Sequence, residues 1–371
     1  MDKRWCQAGK NHIWLRQDNQ VQLCCTLAHS PDKHMIQLEK TADFYNLINS
    51  KKWKKGYRSL AKGPLPDGEC RICIDVDNSA TGKSSKSQRF KLNNETQNGR
   101  KFFLKIDFSN KCNLKCTMCS SARSTSWIKD EQKINQLVSD PVLKVPVFPY
   151  NTLDDNWWQE IPLEWWQNLG AVELSGGEPL YQPEALGFLD FLAENVPECR
   201  VRIITNTTLI DNDIIKMLNN FKEIVFVCSV DAWDDKIYRY VRGDHYGIDQ
   251  VKENITKLYN LVKNKDKSRI GICDTIHVVN YDQQSAGQEW LDQFDSRLVK
   301  YAPNIVYKPH HLDPRRVLPQ NLYANSRPEK DLQKRFYEFI TALDKVRNTN
   351  VLDIRPEFTK WFREMESANG V

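Results

Sequence analysis

The sequence predicts an α/β fold: a partial (β/α)6 TIM-like barrel with a small cysteine-rich module at its N-terminus. Three observations predict it. Short apolar strands alternate with amphipathic helices from residue 101 onward, the signature of parallel strands joined by helical crossovers. About six such units suit a partial barrel better than a flat sheet. The chain has 11 cysteines in 371 residues, five of them before residue 77 and three more packed into ten positions. Finally, residues 78–100 are rich in Ser, Lys and Asn and nearly free of apolar side chains, so they read as a flexible linker between the two parts.

Taken in order, residues 1–77 form the cysteine-bearing module, with "DFYNLINSKKWKKGYRSL" reading as a helix and its exit. The barrel spans 101–326. Its strands are expected at 102–108, 171–175, 200–205, 223–230, 269–279 and 304–311. Helical spacing marks 184–196 and 247–264, and Asp211 is an N-cap candidate for the helix that follows it. Residues 138–168 interrupt the alternation as an insertion containing Trp157–Trp158 and Trp165–Trp166, expected to pack on the barrel or to line a cleft. A C-terminal helical extension occupies 327–371, opening with a helix over 327–348.

Composition excludes several classes. A net charge of +5 is small for this length and indicates no strong nucleic-acid preference. "KKWKKGYR" (51–58) mixes basic and aromatic residues, yet such a run is more often a solvated helix face. The N-terminus shows no signal peptide, and no apolar stretch approaches 18 residues, so no membrane span is expected. Clustered cysteines in a cytoplasmic chain point to metal rather than disulfides. Cys199, Cys228 and Cys273 stand singly in apolar contexts and read as buried core residues.

The densest chemistry lies in "KCNLKCTMCS" (111–120), where Cys112, Cys116 and Cys119 follow the first barrel strand with spacing C-x3-C-x2-C. Thiolates suit zinc or iron–sulfur clusters. Structural zinc wants four ligands, so a zinc site here needs a His or a distant Cys. The other reading is a cubane cluster with one iron left open for a small molecule. "SGGEP" (175–179) follows the next strand.

With these two motifs on consecutive strand ends, the sequence resembles the radical S-adenosylmethionine (radical SAM) superfamily. The resemblance implies a [4Fe–4S] cluster on Cys112, Cys116 and Cys119, with SAM chelating the fourth iron. It implies an oxidoreductase-type enzyme that cleaves SAM reductively to a 5′-deoxyadenosyl radical, which takes a hydrogen atom from a substrate. Gly176 and Gly177 would let the backbone approach the methionyl group of SAM, and Glu178 would accept from its ammonium. Asn206, Ser229 and Asp231 would approach the ribose and carboxylate. Arg242 would pair with that carboxylate. Met118, standing where an aromatic residue is common, would pack near the adenine.

The first quarter resembles the SPASM or twitch auxiliary-cluster module, in the arrangement of phage-type twitch radical SAM proteins. That implies a second [4Fe–4S] cluster on Cys6, Cys24, Cys70 and Cys73, with Cys25 an alternative to Cys24. Tetrahedral zinc fits the same spacing.

The resemblance implies as substrate a peptide or protein side chain, or a small molecule such as a sugar or nucleotide. It also implies an electron donor such as flavodoxin or ferredoxin. A non-catalytic zinc or nucleic-acid-binding protein is the reading from another class, and it has no use for the ordered pair of motifs. His310 and His311 are expected near the active-site mouth. Tyr181, His245 and His277 lie where an acid or base could stand, and Asp107 ends the first strand with no role assigned.

Overall fold

The computed structural model describes residues 12–23, 35–55, 102–243, 245–306 and 308–369. Cys6, Cys24, Cys25, Cys70 and Cys73, and the 78–100 tract, lie outside the described residues.

The strands are β1 (His12–Leu15), β2 (Gln20–Gln22), β3 (Met35–Gln37), β4 (Phe102–Asp107), β5 (Leu169–Ser175), β6 (Arg200–Thr205), β7 (Ile224–Ser229), β8 (Arg269–Cys273), β9 (Thr275–Ile276), β10 (Val299–Tyr301) and β11 (Asn304–Ile305). Nine of them form one sheet in the order β10-β8-β7-β6-β5-β4-β1-β2-β3. The six strands β4 to β8 and β10 run parallel, as a partial (β/α)6 barrel requires. β1 adds parallel to β4, and β2 and β3 follow antiparallel, so residues from the first quarter continue the barrel sheet.

Burial explains the apolar residues of the strands, and the buried positions alternate in β6, β7 and β8. Leu104, Ile106, Val172, Leu174, Val201, Ile203, Phe226 and Ile270 are buried under crossover helices Pro183–Asn195, Asn212–Asn219 and Ile248–Val262. The Asp211 side chain caps its helix, accepting from the Ile214 amide at 2.8 Å.

Two expected strands are redrawn. The run 269–279 breaks at Asp274, whose buried carboxylate accepts from the Asp231 amide (2.9 Å), the Trp233 indole (2.8 Å) and the Tyr301 hydroxyl (2.5 Å). There the parallel edge pairing passes from β10 to β11, with the Asn304 amide donating to the Asp274 carbonyl at 2.8 Å. The run 304–311 also divides. The sixth barrel strand is β10, just before Pro303, and only Asn304–Ile305 pairs beyond it, with β9. Pro303 and Pro309 offer no amide to a ladder, and a 3-10 turn occupies His310–Leu312.

The four insertion tryptophans are buried. They pack with Phe44, Phe108 and Phe188 in one aromatic cluster, with Trp157 stacked on Phe188 and Trp158 edge-on to Phe108. They line no cleft. Trp53 is buried too, between exposed lysines, so its ring is not offered to a nucleic acid. After the helix Lys330–Arg347, ended by Asn348 in the left-handed region, two further helices follow at Val351–Ile354 and Phe358–Asn369. No helix among the described residues is long and apolar enough to cross a membrane.

Candidate functional site

The cysteine loop leaves the carboxyl end of β4 without regular structure, so its polar groups need partners from elsewhere. They have them. Asn110 donates to the carbonyls of Ser121 (2.9 Å) and Pro149 (2.8 Å) and accepts from the Asn151 amide. The Thr117 amide donates to the Val241 carbonyl at 2.7 Å, and the Trp127 indole donates to the Cys116 carbonyl at 2.9 Å. Arg347 donates to the Lys115 carbonyl at 2.6 Å. These contacts tie the loop to the rest of the barrel.

The Gly-Gly-Glu segment after β5 closes against it. The Gly177 amide donates to the Ser109 carbonyl (2.9 Å) and the Glu178 amide to the Lys111 carbonyl (3.0 Å). A Cβ on Gly177 would lie 2.1 Å from the Lys111 oxygen. Gly176 has φ +108°, and a Cβ there would lie 2.8 Å from the Ser109 oxygen. The approach that demands glycine at both positions is that of the cysteine loop itself.

Cys112, Cys116 and Cys119 line one pocket with Met118, Gly176, Gly177, Glu178, Asn206, Ser229, Asp231 and Arg242. The strand ends of β4 to β8 thus bring every residue expected at the cluster and at SAM to one space. The buried Glu178 carboxylate accepts from the Thr205 hydroxyl (2.8 Å), the Asn206 amide (2.6 Å) and the Leu180 amide (3.1 Å). Of a carboxylate's roughly four acceptor positions, one remains for a ligand ammonium. Burial raises its pKa against those three bonds. Asn206 donates to Asn113 (2.8 Å) and lies 4.0 Å from the Cys112 sulfur.

Arg242 donates to Asp231 (2.8 Å) and to the Ser229 carbonyl (2.6 Å). Burial opposes its charge, but Cys116 and Asp231 beside it outweigh that and hold its pKa high. Its fork is engaged, so a ligand carboxylate would share it with Asp231.

Arg123, Thr205 and Thr275 also line the pocket. Arg123 pairs with Asp107 at 2.5 Å, and Asp107 accepts in addition from the Ser175 hydroxyl and the Trp14 indole. Asp107 is thus the residue that positions Arg123. The sequence signal for both was an acidic strand end followed by an arginine just past the third cysteine. His310 and His311 border a different cavity, Tyr181 is exposed, His277 is buried away from the pocket, and His245 is exposed.

Burial pushes all three thiols up, Cys119 to about 12. Bound iron would reverse this, because a metal ion deprotonates its thiol ligands. Among the described residues no three His, Cys, Asp or Glu side chains sit close enough to share one metal ion. Three thiols in one pocket suit a cubane with one iron left open, whereas structural zinc takes four ligands. The donor set fits a cluster with one open iron.

Residues 106–283 match the model of the radical SAM superfamily. This stretch is a radical SAM domain, and the chain is an enzyme. No curated protein matches the chain. Among solved structures, SuiB of Streptococcus suis bound to S-adenosylmethionine is 15% identical, covering 93% of this chain and 72% of that one, at a TM-score of 0.37. SuiB bound to the precursor peptide SuiA is 16% identical over 96% and 75%, at 0.36. Native anSMEcpe with bound AdoMet is 18% identical over 67% and 62%, at 0.35. The radical SAM match ends before β10, so the last barrel strand and the C-terminal helices lie beyond it.

Proposed function

We propose that this radical SAM enzyme holds a [4Fe–4S] cluster on Cys112, Cys116 and Cys119, binds SAM in the same pocket, and modifies a peptide or protein side chain. One observation supports the reading above the others: three thiols, a glycine-lined wall, the Glu178 carboxylate and the Arg242 guanidinium share a single pocket at the strand ends. When bound, the cluster and SAM supply one-electron cleavage of a carbon–sulfur bond and hence hydrogen-atom abstraction.

The chain's own residues bind and orient. Glu178 accepts from the ammonium of SAM, and Arg242, steadied by Asp231, faces its carboxylate. Gly176 and Gly177 keep the wall thin. Met118 and Cys119 separate the pocket from a second cavity and limit water. Arg123 adds a cation beside the cluster, held by Asp107.

A second [4Fe–4S] cluster on Cys6, Cys24 or Cys25, Cys70 and Cys73 is part of the proposal, supported by spacing in the manner of a twitch module. A one-electron donor of flavodoxin or ferredoxin type is required for turnover, and a cytoplasmic setting keeps the thiols reduced. The test is release of 5′-deoxyadenosine from SAM under anaerobic reduction. Release by the wild type and none by Cys116→Ala supports the reading, and equal release by both overturns it.

A further inference from the structure

Asp107 ends β4 at the root of the cysteine loop, and its side chain is fully buried. Its Oδ2 accepts from Arg123 at 2.5 Å and from the Trp14 indole at 3.2 Å, and its Oδ1 accepts from the Ser175 hydroxyl. These donors come from three parts of the chain: the end of the cysteine loop, β1 and the end of β5. Trp14 lies well before residue 106, where the radical SAM match begins. A carboxylate buried this deeply is costly unless it is paired and hydrogen-bonded, and here it is both.

The pair has a direction. Arg123 lines the cysteine pocket and Asp107 does not. The cationic end therefore shares a space with Cys112, Cys116 and Cys119, and the carboxylate stands behind it. Nη1 of Arg123 donates to Asp107, and 39% of the side chain is exposed, so further N–H donors stay accessible. The surrounding backbone is fixed as well. The Arg123 amide donates to the Ser120 carbonyl at 3.0 Å, and Gln17 donates to the Ala122 carbonyl at 3.3 Å. The guanidinium lies 6.0 Å from the centre of the Trp14 ring.

The charge is felt at the sulfur. Burial pushes the Cys119 thiol up to about 12, and Arg123 works against that shift. Arg242, the other arginine of the pocket, already donates to Asp231 and to the Ser229 carbonyl.

We propose that Arg123, oriented by Asp107 and Trp14, raises the reduction potential of the cluster that the three cysteines hold. This rests on the cluster reading above and adds what sets the ease with which that cluster takes an electron. Reduction places one more negative charge on the cluster. A fixed cation with accessible N–H donors beside a cysteine ligand stabilises that charge, and net charge and hydrogen bonds to sulfur are among the terms that set such potentials. Asp107 and Trp14 are positioning residues, and through them β1 acts on the chemistry from outside the matched domain.

The test is an EPR-monitored redox titration of the reconstituted full chain, as wild type, Arg123→Gln, Arg123→Lys and the double variant Asp107→Asn/Arg123→Gln. The signal followed is the one that SAM alters, because a cluster with an open iron binds SAM and a fully ligated one does not. Iron is measured on every sample, and potentials are compared between iron-replete proteins. The expected result for Arg123→Gln is a lower potential, with about tenfold less reduced cluster at a fixed potential, a shift of ~59 mV for one electron. Arg123→Lys keeps the charge and is expected to stay close to wild type. The double variant leaves no unpaired buried charge, so it guards against misfolding of Arg123→Gln, and its potential is expected to fall by less. An unshifted potential in an iron-replete neutral variant overturns the proposal. So does an equal fall in Arg123→Lys, which would assign the effect to the shape of the side chain and not to its charge. A wild type with no SAM-sensitive signal is a different failure, which removes the cluster reading and this proposal with it.

Discussion

Arg242 donates to Asp231 at 2.8 Å with the two side chains 6% and 1% exposed. The pair closes the floor of the cysteine pocket. Asp231 is in the left-handed region at φ 72°, and its second oxygen accepts from the Thr275 amide at 2.6 Å. One carboxylate thus ties the end of β7 to the start of β9 and fixes the guanidinium beneath the cluster loop.

Removing one member of a buried pair leaves an uncompensated charge. Asp231→Ala is expected to destabilise the protein by about 3–5 kcal/mol. Urea unfolding measures this. A loss below about 1 kcal/mol, the range of exposed pairs, would contradict the assignment.

Gly177→Ala places a methyl group 2.1 Å from the Lys111 oxygen, which belongs to backbone and cannot rotate away. The cysteine loop must shift. Expected are a stability loss of about 1–3 kcal/mol and reduced iron after reconstitution. Iron content equal to wild type would show that the loop tolerates the displacement and that the tight approach is unimportant.

The imidazole of His277 is buried and its pKa is lowered to about 3, first by burial and then by Arg355 nearby. Its Nδ1 accepts from the Val279 amide at 3.2 Å. In the unfolded chain the imidazole takes a proton near pH 6.5, in the folded chain only near 3. Its contribution is therefore full above pH 6.5 and lost as pH falls toward 3, amounting to no more than about 5 kcal/mol. His12, lowered to about 4 by burial, acts in the same direction. Thermal denaturation from pH 7 to pH 4 should fall less steeply in His277→Asn than in wild type. Parallel curves would rule out this source of acid sensitivity.

Much of the barrel was legible because its signals are local. β6 matches its expected range, and β4, β5 and β7 differ by two residues or fewer at either end, since their buried residues stand out as short apolar runs. The triple-cysteine and Gly-Gly-Glu motifs were legible for the same reason, each being a short pattern on a strand end. What was not legible depends on partners distant in sequence. The break at Asp274 falls where donors from Asp231, Trp233 and Tyr301 converge on its carboxylate, and no local pattern announces it. Glycine at 177 answers to the backbone of Lys111, and the role of Asp107 shows only through Arg123 and Trp14. β1 pairs with β4 across the whole intervening stretch of sequence, a long-range pairing that no local pattern specifies.

The central claim is that Cys112, Cys116 and Cys119 hold an iron–sulfur cluster with an iron open to SAM. The most direct measurement is iron and sulfide content after anaerobic reconstitution, in the wild type and in the triple alanine variant of those cysteines. A loss of about four irons and four sulfides per chain in the variant, together with loss of 5′-deoxyadenosine release, is the predicted result. Equal iron in both proteins, or zinc in place of iron in the wild type, would contradict it.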